Sequence, residues 1–170
     1  MSLLLKAEDM FNDLQPEQKQ EIRIPKVKPN KNLEEIVKGY KDFIKKAIDH
    51  EKASKLYNTI RIKDVSSKYI EDFSLMLGKY QQLENFKCSG FYLSRLINDS
   101  KDNEFTIHTN YLDSSIDYLG YKNIKNLTIN GNAGYWVGAI MEDGTITING
   151  NAGDVVGYSM NNGTITVNGN

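Results

Sequence analysis

Residues 126–144 read NLTINGNAGYWVGAIMEDG and residues 145–163 read TITINGNAGDVVGYSMNNG. Aligned without a gap the two blocks agree at 11 of 19 positions, and TITVNGN at 164–170 opens a third copy. Self-similarity at a fixed period is the mark of stacked structural units. Within each copy, Leu127-Thr128-Ile129, Ile146-Thr147-Ile148 and Ile165-Thr166-Val167 alternate apolar and hydroxylated residues, which is the pattern of a half-buried strand. A glycine-rich corner follows each run. A 19-residue period is too short for a strand plus a crossover helix and long enough for one coil of short strands and turns. The expectation is a parallel β-helix with coils about 4.8 Å apart, right-handed by the general preference of parallel crossovers.

Stacking assigns a structural use to each recurring residue. Gly131, Gly134, Gly138 and Gly144, with their copies Gly150, Gly153, Gly157, Gly163 and Gly169, supply positive φ or close backbone approach at corners. Asn130, Asn149 and Asn168 fall one above another, where asparagine side chains hydrogen-bond along a stack. Met141 over Met160 and Val137 over Val156 are expected to fill the coil interior.

The pattern G-N-A-G-x-x-x-G-x-x-M-x-x-G-T-I-x-[IV]-N-G, carried by Gly131, Gly134, Gly138, Met141, Gly144 and Thr145-Ile146 with their copies, resembles the GXGXG β-helix domain. That domain is found at the C-terminus of the glutamate synthase large subunit and in one of the subunits of formylmethanofuran dehydrogenase. The resemblance covers roughly the last 45 residues, at most about 65, and implies a structural, packing role, with chemistry on other domains or subunits. It carries over no catalytic residue, because the matched positions are those that form coils.

Upstream the sequence changes character. From Asn126 onward the only acidic or basic residues are Glu142, Asp143 and Asp154, and that stretch holds nine of the thirteen glycines. The charge asymmetry places an organisational boundary in 100–125. The chain therefore reads as α+β, with an N-terminal helix and Pro-containing arm over 1–31, a helical region over 32–103 and a β-helix over 104–170. In the β-helix, 104–125 is a degenerate first coil, because Phe105 and Ile107 precede Leu127 and Ile129 by 22 residues and Leu119-Gly120 corresponds loosely to Val137-Gly138. Regular coils at 126–144 and 145–163 follow, and 164–170 is partial.

In the N-terminal part, residues 2–14 place Leu3, Leu4, Ala7, Met10, Phe11 and Leu14 on one helical face, and Pro16, Pro25 and Pro29 mark an extended arm. The arm reads either as a partner-binding element or as packing on its own domain. Asn32 and Glu35 suggest a helix start of the capping-box kind, followed by an apolar stripe of Leu33, Ile36, Val37, Tyr40, Phe43, Ile44, Ala47 and Ile48. A second stripe from about Ser66 comprises Tyr69, Ile70, Phe73, Met76, Leu77, Tyr80 and Leu83, and a short helix over Gly90–Asn98 is expected to close that end of the core. Helices of this kind pack as a hairpin on a sheet or on each other, or present a groove to a partner.

Chemistry is sparse. His50 and His108 are 58 positions apart with no neighbouring His or Cys at ligand spacing, which argues against a metal site. His50 is expected to be solvated, and His108 to lie on a strand face. A Cys88/His108 nucleophile pair has no third member. Gly131-Asn132-Ala133-Gly134 is followed by neither lysine nor helix, so it is no phosphate loop. With 21 basic against 22 acidic residues, nothing favours nucleic acid or an anionic membrane. One cysteine and the early charges Lys6, Glu8 and Asp9 point to a cytoplasmic protein without a signal peptide.

No cofactor is expected, and no catalytic activity of the chain on its own. Tyr135 and Trp136 depart from the repeat, becoming Asp154 and Val155 in the next coil. They read either as an interface or as packing against the helices. The partial copy leaves Ile165 and Val167 on a strand edge with no capping segment after it. Either these 170 residues belong to a longer chain or the edge is covered by another protein. The expected function is a non-catalytic structural and protein-interaction module assembling through the β-helix edge, as a two-fold dimer or with a partner subunit. The alternative, which rests on the resemblance, is an accessory subunit of a multisubunit oxidoreductase or amidotransferase.

Overall fold

The computed structural model of the chain describes residues 27–28 and 30–170. The helix expected over 2–14 and nearly all of the proline-containing arm lie outside the described residues. The described chain runs α1 (Lys31–Lys46), α2 (His50–Tyr57), α3 (Ser67–Met76), two single turns of 3₁₀ helix at Leu77–Tyr80 and Phe86–Cys88, and α4 (Ser89–Asp99). Strands β1 (Glu104–His108), β2 (Asn126–Asn130), β3 (Thr145–Ile148) and β4 (Thr164–Val167) follow, paired in that order and all parallel. This is an α+β fold in which helices precede a β-solenoid of about three turns.

Strand register follows the sequence repeat. Leu127 pairs with Ile146 and Ile146 with Ile165, each 19 residues on, and Phe105 pairs with Leu127 across the 22 residues of the first coil. By Leu119 and Val137, linked through the Gly138 N–H to Leu119 O bond at 2.8 Å, the offset has fallen from 22 to 18. The additional residues lie in the segment 110–116, which reaches towards the helices. There the Asp113 N–H donates to Gln81 Oε1 at 2.8 Å.

The corners rest on an alternation that recurs in each coil. Tyr118, Gly120 and Lys122 all have positive φ, as do Trp136, Gly138 and Ile140, and Val155, Gly157 and Ser159. A non-glycine residue in that region costs about 1–2 kcal/mol. Inter-coil hydrogen bonds hold it there: Tyr118 N–H donates to Tyr135 O at 2.9 Å, Trp136 N–H to Asp154 O at 3.1 Å and Ile140 N–H to Tyr158 O at 2.8 Å. The central glycine is required for space as well as for φ. A Cβ on Gly138, at φ +66°, would collide with Ile165 Cδ1 and lie 3.3 Å from Ile146 Cδ1.

The helices close the β1 end of the solenoid. α4 carries Phe91, Tyr92, Leu93, Leu96 and Ile97, all buried, and these share one core with Tyr40, Phe73, Ile107 and Leu119. Gly90 lets this helix approach the first corner, since a Cβ there would sit 2.7 Å from the Tyr118 carbonyl carbon. Tyr92 OH donates to Ile36 O at 2.7 Å, and Tyr40 OH shares a hydrogen bond of 2.8 Å with Ser89 Oγ, so both buried hydroxyls are satisfied.

Three expectations need correction. The N-cap of α1 is Asn30, whose Oδ1 accepts from Leu33 N–H at 2.9 Å; Asn32 lies inside the helix and its side chain donates to Asp64 O at 3.4 Å. Ile48 is exposed because α1 ends at Lys46, and Leu83 is exposed because α3 gives way to a 3₁₀ turn after Met76. The short helix α2, capped by Asp49 Oδ1 on Lys52 N–H at 2.7 Å, was not apparent in the sequence because it buries only Ala53 and Tyr57.

Gly138→Ala combines a steric clash with an unfavourable φ and is expected to destabilise the fold by about 2–3 kcal/mol. Urea unfolding followed by circular dichroism checks this, and a midpoint equal to that of the unmodified chain would show that the corner is not held as described.

Candidate functional site

The repeated residues form two polar ladders on the solenoid exterior. Asn149 Nδ2 donates to Asn130 Oδ1, and Asn168 Nδ2 to Asn149 Oδ1, both at 2.9 Å. Beside them the Asn151 N–H donates to Asn132 Oδ1 at 2.9 Å and the Asn170 N–H to Asn151 Oδ1 at 3.0 Å. Gly131, Gly150 and Gly169 stack here, each leaving no room for a Cβ: one on Gly150 would lie 2.6 Å from the Gly131 carbonyl carbon. At the other corners a Cβ on Gly134 would meet Ile116 O at 2.8 Å, and one on Gly153 would meet Gly134 C at 2.8 Å. Gly144 backs onto Lys125, and Gly163 onto Gly144 and Met141.

Coverage of the interior changes from coil to coil. Val137, Met141, Ile146 and Ile148 are fully buried, whereas their counterparts one coil on, Val156, Met160, Ile165 and Val167, are not. Val156 is 36 % exposed against 0 % for Val137. Val155 and Ser159 keep the positive φ of Trp136 and Ile140, but among the described residues no further coil accepts their N–H groups. Among the described residues, the apolar side chains of the last coil are therefore less covered than those of the coil before it.

Tyr135 of the coil 126–144 and Val155, Val156 and Tyr158 of the coil 145–163 account for four of the seven large apolar side chains exposed among the described residues. Trp136 stacks on Tyr118 with ring centroids 5.7 Å apart and planes 4° from parallel, and Tyr158 meets its other side edge-on at 4.8 Å. Tyr118 in turn stacks on Phe91 of α4 at 4.4 Å. Trp136 is therefore tied to the helices through Tyr118, while Tyr135 is 45 % exposed.

The junction contains a carboxylate that the sequence did not single out. Asp117 is buried; its Oδ1 accepts from Tyr135 N–H at 2.9 Å and its Oδ2 lies 3.4 Å from His50 Nε2. His50 is thus not simply solvated: it opens α2 facing Asp117, with the Tyr118 ring 5.0 Å away. Tyr118 was discoverable, because aligning Leu119-Gly120 with Val137-Gly138 places it under Trp136. Asp117, in the unrepeated stretch, gave no signal.

His108 Nε2 is 3.0 Å from Glu71 Oε1, and the buried Cys88 thiol is pushed up to about 11 by burial and by the nearby Asp117 and Asp49. No group of three or more His, Cys, Asp or Glu among the described residues could hold a metal ion, and no described helix is long and apolar enough to cross a membrane. Compared with known proteins, the chain matches no family model, no curated protein and no solved structure. The likeness to the GXGXG domain therefore stands on the glycine pattern alone.

Ile148→Ala removes a fully buried side chain and is expected to cost about 2–5 kcal/mol, whereas Val167→Ala, one coil higher in the same column, should cost less than about 1 kcal/mol in dilute solution. Equal losses in urea unfolding would show that the terminal coil is covered.

Proposed function

We propose that this chain is a non-catalytic structural and protein-interaction module that assembles by adding a partner's β-layer to its terminal coil. The observation that carries this reading is the contrast within one inward column, closed at Val137 and open at Val156. A parallel strand edge with free N–H and C=O groups beside an apolar trough matches the chemistry of strand addition: backbone hydrogen bonds supply affinity and the trough supplies specificity. The repeated side chains are used in coil formation, as the asparagine ladders and close-packed glycines illustrate, which favours a structural role over a chemical one. The buried single cysteine fits a reducing, cytoplasmic setting.

The test is purification of the tagged full chain from its native source beside a variant with exposed positions of the last coil changed, Val155→Asp/Tyr158→Asp. The unmodified chain should elute above 19.3 kDa, and the variant at that mass with unchanged circular dichroism. A strictly monomeric unmodified chain at micromolar concentration, or a variant that assembles equally well, contradicts the reading. Co-purification with a protein that carries a flavin or an iron–sulfur cluster would favour the accessory-subunit role that the GXGXG resemblance implies.

A further inference from the structure

The first turn of the solenoid is one residue shorter than those that follow. Strand β2 begins at Asn126, six positions after the corner glycine Gly120, whereas its register partners Thr145 and, one coil on, Thr164 follow Gly138 and Gly157 by seven. The missing residue falls after Asn123. Three residues beyond each corner glycine the chain closes the same turn: Asn123 N–H donates to Gly120 O at 3.1 Å, Met141 N–H to Gly138 O at 3.1 Å and Met160 N–H to Gly157 O at 3.0 Å. Asn123 therefore holds the place that the later coils give to methionine, and it is as completely buried as Met141.

The hydrogen bonds of Asn123 lie across that gap. Its main-chain O accepts from Glu142 N–H at 2.9 Å and from Asp143 N–H at 3.0 Å, so one carbonyl serves two successive amides of the longer turn. Its Nδ2 donates to Lys125 O at 2.6 Å and reaches Asp143 O of the next coil at 3.4 Å. The reverse orientation of the amide would set Oδ1 against Lys125 O, two acceptors facing each other. A side-chain amide carries the same donor and acceptor types as a peptide group. We infer that the Asn123 side chain is a splint that stands in for the peptide unit absent from the first turn, and so joins a short coil to one of regular length. The splint has a cost: among the described residues, Asn123 Oδ1 is the one buried side-chain nitrogen or oxygen without a hydrogen-bond partner. Methionine would leave no such orphan, so the amide is explained by its donor. The shortened turn is also the one that α4 grips, with Asn98 Nδ2 donating to Lys122 O at 2.9 Å and Asn98 Oδ1 accepting from Ile124 N–H at 3.3 Å. Turn length and splint together set how the solenoid meets its helical cap.

The experiment compares three versions of the full 170-residue chain by urea unfolding: the unmodified chain, Asn123→Met, and a chain in which residues 123–125 are replaced by the Met-Glu-Asp-Gly of 141–144. Asn123→Met should lower the folded-to-unfolded ratio about tenfold, the scale of one lost intramolecular hydrogen bond. The third chain also lacks the asparagine but has the seven-position spacing of the later coils, and it should recover most of that loss. An Asn123→Met chain at least as stable as the unmodified one overturns the inference. So does a lengthened chain no more stable than Asn123→Met, because turn length would then not be what the amide answers. Should neither variant fold, hydrogen exchange of the Asn123 side-chain amide in the unmodified chain decides. Protection from solvent exchange, set beside the exposed Asn58, is the expected result, and exchange of Asn123 as fast as that of Asn58 overturns the splint.

Discussion

Coil-to-coil hydrogen bonding is the interaction on which the rest of the structure depends. Each turn of the solenoid must present its N–H and C=O groups where the next turn can use them, and that requirement reaches beyond the strands into the corners. It explains why Trp136 and Ile140 accept a left-handed backbone that a bulky or β-branched side chain ordinarily avoids. Their amides are aimed at Asp154 O and Tyr158 O of the next coil, and those bonds offset the local strain. Gly138 between them answers a second demand, the space taken by Ile146 and Ile165 crossing the interior.

The helical half closes one end of this stack. Ser74 and Glu71 of α3 meet His108 of β1, Tyr111 of the first coil donates to Ser74 O, and α4 fits under the first corner through Gly90. The distortion of the first coil follows from this contact, because its residues 110–116 serve the helices rather than another coil. The buried Asp117 belongs to the same junction: it holds the second coil through Tyr135 N–H and faces α2 through His50. Helices and solenoid therefore share one core, although the sequence divides sharply in charge.

Much of this was legible in the sequence wherever a residue recurs. The alternation at Leu127, Ile146 and Ile165 located three strands and their register, and the 22-residue step back to Phe105 located β1. Elements that occur once were harder to place. Asn32 was expected to cap α1, but Lys31 is already helical and Asn30 is the cap, which the sequence pattern did not show. Ile48 fits the apolar stripe of α1, yet the chain leaves the helix at Ala47, where ψ is +62°, and so carries Ile48 into solvent. Of the candidate site, the repeat placed Ile165 and Val167 in the last strand, but the positive φ of Val155 and Ser159 belongs to no residue preference and follows from stacking alone.

Amide hydrogen exchange resolved at single residues tests the stacking account most directly. Trp136 and Ile140 occupy the positions of Val155 and Ser159 one coil lower and share their positive φ, while the coil beyond differs. In dilute solution the Trp136 and Ile140 amides should exchange slowly and those of Val155 and Ser159 rapidly. Equal protection of all four at every concentration would contradict the open terminal coil.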